Sequence, residues 1–194
     1  MGCDCAPKVA DLFLYWYEHD YISEGVDSDN ILINKLQYAS RYIDDLNVPN
    51  IDNSACDTIC NDIYPEELDI IPTNDLDTST TFLDLDIYIE DKRFISKLYD
   101  KRRDFGFKVI TFPNLRSNIP NKTSYGTFIG ELYRICKSST KTSDFIAEVK
   151  LLIKKLINQK FDKAVLYSCL NKFIRSRPAC LSKYWRCFNV SDFM

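Results

Sequence analysis

Apolar side chains recur at helical spacing near the start of the chain. Val9, Leu12, Phe13, Trp16 and Tyr17 follow at intervals of three and four, which predicts a helix over Lys8 to Tyr21 with these residues on one face. Pro7 suits its first turn, where the missing N–H costs nothing. Leu14 and Tyr15 widen the stripe, so the helix is expected to be buried on two sides. Ser23 to Asn30 reads as a polar loop, and Ile31 to Ser40 is open, including entry into a strand. Over 41–48, two short apolar or aromatic flanks enclose Asp44-Asp45, the pattern of a tight hairpin ended by Pro49-Asn50. Asp52 to Asp62 predicts a short helix with Asn53 or Ser54 as N-cap.

Further along, Glu67 to Ile71 reads as a strand and Pro72 to Thr81 as a turn-rich loop. Phe82 to Ile89 alternates apolar and polar residues, as in a strand with one buried face, and Arg93 to Tyr99 suits its hairpin partner. Beyond Pro113 the period becomes helical. After a loop at Ser117 to Thr123, helices are predicted over Tyr125–Cys136, Ser143–Asn158 and Asp162–Arg175. In the second of these Phe145, Val149, Leu152, Ile153, Leu156 and Ile157 form one stripe, with Lys150, Lys154, Lys155 and Lys160 mainly off it. Residues 176–194 read as a loosely structured tail. The class expected is α+β.

Charge adds a polarity that the apolar pattern does not show. Residues 1–91 carry 3 Lys and Arg against 21 Asp and Glu, and residues 92–194 carry 22 against 7. An acidic half suits cations; a basic half suits a phosphate backbone, or the two halves attract each other as solvated faces. No apolar run approaches the roughly 18 residues of a membrane span, so no membrane contact is expected. No basic stretch precedes Leu12 to Tyr17, so that segment is not read as a signal peptide, and an intracellular chain is expected. The 8 cysteines do not form a zinc framework with the single His19, and they read as reduced thiols acting as small hydrophobes.

The candidate chemistry centres on Tyr42-Ile43-Asp44-Asp45. Two carboxylates at a hairpin tip offer hard oxygen ligands suited to Mg²⁺. Nucleotidyl transfer uses two such ions about 4 Å apart. Asp-Asp is also an ordinary turn sequence. A second cluster, Lys97, Lys101, Arg102, Arg103 and Lys108, is interleaved with Tyr99, Phe105 and Phe107, as a nucleic-acid surface or a solvated strand edge would be.

The order Met1-Gly2-Cys3-Asp4-Cys5-Ala6-Pro7, then a helix, then Tyr42-Ile43-Asp44-Asp45, resembles reverse transcriptases of animal retroelements of the Penelope-like or similar non-LTR kind. Ile63 to Leu68, Phe82 to Ile87, Lys97 to Arg103, Phe112-Pro113 and Ser117 to Pro120 extend the resemblance to about residue 175. It implies a partial polymerase palm over 1–112, an antiparallel sheet with packed helices, then a basic helical thumb-like region over 113–175 and a tail over 176–194. It implies that Asp44 holds catalytic Mg²⁺ with Asp45 beside it, that Tyr42 lies near the primer end, and that Gly2 approaches the template–nucleotide pair. Template–primer RNA or DNA and deoxynucleotides are the implied partners, with Lys97, Lys101, Arg102 and Arg103 on the nucleic acid.

The sequence departs from that pattern at one essential point. It starts at the second polymerase motif, so the aspartate-bearing strand and the fingers that precede it in the family are missing. One hairpin does not fix two metals in the geometry the reaction needs. The chain by itself is therefore expected not to polymerise and to need the missing portion or a partner chain. The alternative is a non-catalytic nucleic-acid-binding remnant or an interaction protein. A lipid-anchored adaptor is disfavoured, because Ala6 stands where myristoylation wants Ser or Thr.

Overall fold

In the second half of the chain, three helices bury one continuous stripe each, and the fold is built around them. The structure is a computed structural model that describes residues 4–26, 31–49, 51–73, 78–107, 109–184 and 186–194. The described residues form a mixed α+β protein of seven α-helices and two small antiparallel sheets. Two compact units divide it, Met1–Phe82 and Leu83–Met194. The palm–thumb boundary expected at 112/113 thus falls inside the second unit.

The first unit starts with α1 (Ala6–Val26), so Ser23 to Val26 are helical rather than loop. α2 (Ile31–Leu36) takes the segment left open in the sequence. β1 (Ser40–Tyr42) and β2 (Asp45–Asn47) pair with Arg41 opposite Leu46, giving the expected hairpin. Ile43, its first turn residue, takes φ 58°, a left-handed conformation that a β-branched residue adopts only when held there. α3 (Asn53–Ile63) begins one residue after its cap: Asp52, not Asn53 or Ser54, accepts the Ala55 N–H at 2.9 Å. Glu67 to Ile71, expected as a strand, form none; Leu68, Ile70 and Ile71 are all exposed, with no sheet face to bury them. β3 (Ser79–Phe82) closes the unit.

The second unit opens with β4 (Leu85–Glu90) and β5 (Arg93–Leu98), paired antiparallel through a turn at Asp91 and Lys92, both at positive φ. The strand expected from Phe82 to Ile89 is interrupted. Leu83 takes φ 54° and leaves Asp84 in a turn rather than a strand. Three helices follow: α4 (Asn121–Ser138), α5 (Thr142–Asn158) and α6 (Lys163–Ser176). α4 starts four residues before the expected Tyr125. Asp162 caps α6 by accepting the Val165 N–H at 3.0 Å.

Phe128, Leu132, Phe145, Val149, Leu156, Leu166 and Leu170 are fully buried where these helices meet. β5 is tied to the α4–α5 turn: the Thr140 N–H donates to the Ser96 carbonyl at 2.8 Å, and the Ser96 hydroxyl donates to the Ser138 carbonyl at 2.8 Å.

The last residues correct the expected loose tail. α7 (Pro178–Leu181) and the turns after it deliver Leu181, Tyr184, Phe188 and Phe193 into the same core. The Phe145 ring stacks on Tyr184 at 5.2 Å and meets Phe188 and Phe193 edge-on at 5.4 and 5.7 Å. The Tyr184 hydroxyl reaches the carbonyls of Cys136 and Ser139, so its one polar atom is satisfied in the interior. A disulfide between Cys136 and Cys180 joins α4 to α7, so not every cysteine is a reduced thiol. Cys56, Cys60, Cys169 and Cys187 stand outside any disulfide among the described residues.

Candidate nucleic-acid interface

The hairpin tip is braced from below by one arginine. Arg41 on β1 donates through Nε to Glu18 Oε1 at 2.6 Å and through Nη2 to Oε2 at 3.2 Å, a two-pronged pairing with α1. Its Nη1 donates to Asp11 Oδ1 at 2.7 Å and to the Ile43 carbonyl at 3.1 Å. The hydrogen bond that Arg41 donates to Glu18 leads the causes that hold the guanidinium charged above its ordinary range. The hydroxyl of Tyr64, the C-cap of α3, donates to the same Glu18 at 2.6 Å, and burial, then Glu18, pushes that phenol well up. Arg41 thus ties α1, the hairpin and, through Glu18, α3 together, and it supports the left-handed Ile43.

That bracing presents Tyr42, Asp44 and Asp45 outward; all three are exposed. Asp44 is in the turn and Asp45 opens β2. Two adjacent exposed carboxylates suit one hydrated Mg²⁺. Among the described residues no group of three or more His, Cys, Asp or Glu is placed to hold a metal. A two-metal centre needs further carboxylates beside Asp44 and Asp45 to fix both ions. Gly2 and Lys108 lie outside the described residues.

The basic residues singled out in the sequence are largely engaged with acids of their own unit. Lys97 pairs with Asp86 at 3.0 Å across the β4–β5 hairpin. Arg102 donates from Nε to Asp100 Oδ1 at 2.6 Å. Arg103 grips Glu148 on α5 through both terminal nitrogens, one of them at 2.8 Å. Lys155 reaches Asp100 at 3.5 Å. Burial acts to raise the Asp100 carboxyl, but the Arg102 hydrogen bond and the charges of Arg102 and Lys155 outweigh it and hold the group below its ordinary range. Lys101 is exposed and enters no ion pair among the described residues.

A different basic set is open. Lys150, Lys154, Lys160, Lys163, Lys172 and Arg175, on or beside α5 and α6, are exposed and form no ion pair among the described residues. For Lys150, Lys154 and Lys160 the sequence signal was their position off the apolar stripe. Residues 83–194 carry 22 Lys and Arg against 11 Asp and Glu, while residues 1–82 carry 3 against 17.

The first unit also holds a feature that spacing alone did not reveal. A cavity of about 180 Å³ is bounded by Ile22, Leu36, Leu46, Cys56, Ile63 and Tyr64. Cys56 and Cys60 stand one turn apart on α3 beside it, and a hydrogen bond from the Cys60 thiol lowers the Cys56 thiol to about 7.

No family model matches this chain, and comparison with curated proteins and with solved structures finds no match to it.

Proposed function

We propose that this chain binds nucleic acid without catalysis, through the phosphate backbone and its basic second unit. The observation that carries this reading is the open basic set on α5 and α6, on a unit with an excess of eleven positive charges. Unpaired lysines on a rigid helical pair release counterions when they meet phosphates, so the attraction is sequence-independent and salt-dependent. The pairing of Arg102 with Asp100 and of Arg103 with Glu148 favours this surface over the segment around residue 100. The resemblance to reverse transcriptases supports the same class of partner. It leaves RNA-directed DNA synthesis with Asp44 and Asp45 on Mg²⁺ as the second reading.

Fluorescence anisotropy with labelled single-stranded RNA and with a DNA duplex tests both. Binding is expected to weaken linearly in log salt, to fall about tenfold in Lys150→Glu/Lys154→Glu, and to be unchanged in Asp44→Ala. Absence of binding at about 50 mM salt, where such contacts are strongest, sinks the proposal. Primer extension with Mg²⁺ that disappears in Asp44→Ala establishes the second reading in its place.

A further inference from the structure

The face of α1 that its apolar spacing marks for burial is the face turned to solvent. Val9 is 61 % exposed, Leu12 69 % and Trp16 68 %, and Phe13 and Tyr15 are also exposed. Spaced at i, i+3, i+4 and i+7, Val9, Leu12, Phe13 and Trp16 form one stripe, and Tyr15 extends its edge. The opposite face turns inward, with Leu14, Tyr17, Glu18 and Tyr21 at least partly covered. A contiguous patch of large apolar residues on one helix marks a surface that another molecule covers.

Charge selects the occupant. One turn beyond Trp16, the stripe continues as Asp20 and then Glu24, both exposed, and Lys8 is the only Lys or Arg on the helix. Residues 1–82 carry 3 Lys and Arg against 17 Asp and Glu. A second copy of this face brings like charges together, and nucleic acid or an anionic lipid surface meets the same repulsion. An amphipathic helix with a basic end satisfies both parts of the surface. Its apolar side chains pack between Leu12, Phe13 and Trp16, and its Lys or Arg residues meet Asp20 and Glu24.

We infer that the solvent face of α1 is a docking surface for an amphipathic basic helix of a protein partner. This site is independent of the nucleic-acid reading, which rests on the other unit.

The test uses the full chain carrying Trp185→Phe, so that Trp16 is its only indole. The probe is a synthetic helical peptide of leucine and lysine, with leucine at i, i+3, i+4 and i+7. Saturable binding is expected, with a blue shift of Trp16 emission as the indole leaves water. Leu12→Asp is expected to weaken it about tenfold or more. Asp20→Lys/Glu24→Lys, which leaves the apolar stripe intact, is expected to weaken it by a similar factor and to make it less salt-dependent. Leu151→Asp, on the exposed side of α5, is expected to leave it unchanged. Unchanged circular dichroism in every variant keeps a folding defect from imitating the result. The proposal is overturned by absence of binding, by equal binding of a scrambled peptide of the same composition, or by indifference to both α1 variants. It is also overturned if the chain sediments as a dimer that Leu12→Asp disperses, since the occupant is then a second copy.

Discussion

Phe145 in the second unit touches three other aromatic rings and has no exposed surface, whereas Trp16 in the first lies mostly in water. The same contrast runs through each unit. Among the described residues of the first, only Ile59, Cys60 and Tyr64 are buried apolar or aromatic side chains. In the second, α4, α5, α6 and the C-terminal turns share one continuous core. The first unit relies instead on polar bracing, with Arg41, Glu18 and Tyr64 linking three elements. A core of packed rings stabilises through area removed from water, while a polar network stabilises only while every member keeps its partner. The second unit is therefore held mainly by its core, and the first mainly by its polar network.

The largest test of that contrast is Phe145→Ala. Its ring lies where α5 meets the C-terminal turns, so truncation is expected to cost about 3–5 kcal/mol. Urea unfolding followed by circular dichroism measures it, and a loss under about 1 kcal/mol would remove the aromatic cluster as the centre of the core. Next comes Arg41→Ala, expected to cost about 2 kcal/mol because Glu18 keeps only the Tyr64 hydroxyl as donor and the Ile43 carbonyl loses its contact with the guanidinium. Hydrogen exchange is expected to quicken in α1 and the β1–β2 hairpin and to stay slow in α4 to α6. Arg41→Lys restores less than half of the loss, since an ammonium does not reproduce the two-pronged contact.

The smallest effect is in acid. Asp100 titrates below its ordinary value, so its contribution is present above the unfolded carboxylate pKa of about 3.9 and is lost as pH falls through the lower native value. Asp100→Asn is expected to lower Tm at neutral pH and to converge with the parent chain as pH falls through the native value of Asp100, in thermal melts from neutral to acid pH. A constant offset at every pH would assign the change to packing rather than charge.

Much of the second unit was legible in the sequence. Phe145, Val149, Leu152, Ile153 and Leu156 leave one face of α5 to lysines, so the period identifies both the helix and its buried side. The Asp-Asp hairpin was legible for a similar reason, because local turn chemistry sets it. The C-terminal segment was not. Leu181, Tyr184 and Phe188 share a helical spacing over too short a stretch to define an element, and with Phe193 they are ordered by packing into a core made by helices elsewhere in the chain. Of the candidate site, Tyr42, Asp44 and Asp45 stand together as their adjacency requires. For the basic cluster, spacing did not show the acids that engage Lys97 and Arg103, because Asp86 and Glu148 lie 11 and 45 residues away in the chain.

By itself the sequence determined the α+β class, the three helices of the second unit, the hairpin at Asp44-Asp45 and the opposed charges of the two halves. These depend on neighbours within a few residues or on composition. Only the tertiary structure decided which face of α1 looks inward. Val9 through Tyr17 is apolar or aromatic on nearly every side, so its period carries little direction. The choice fell to Glu18, which turns inward because Arg41 and Tyr64 meet it there at 2.6 Å each. Partners 23 and 46 residues away fixed the orientation, and no local pattern encodes contacts at that separation.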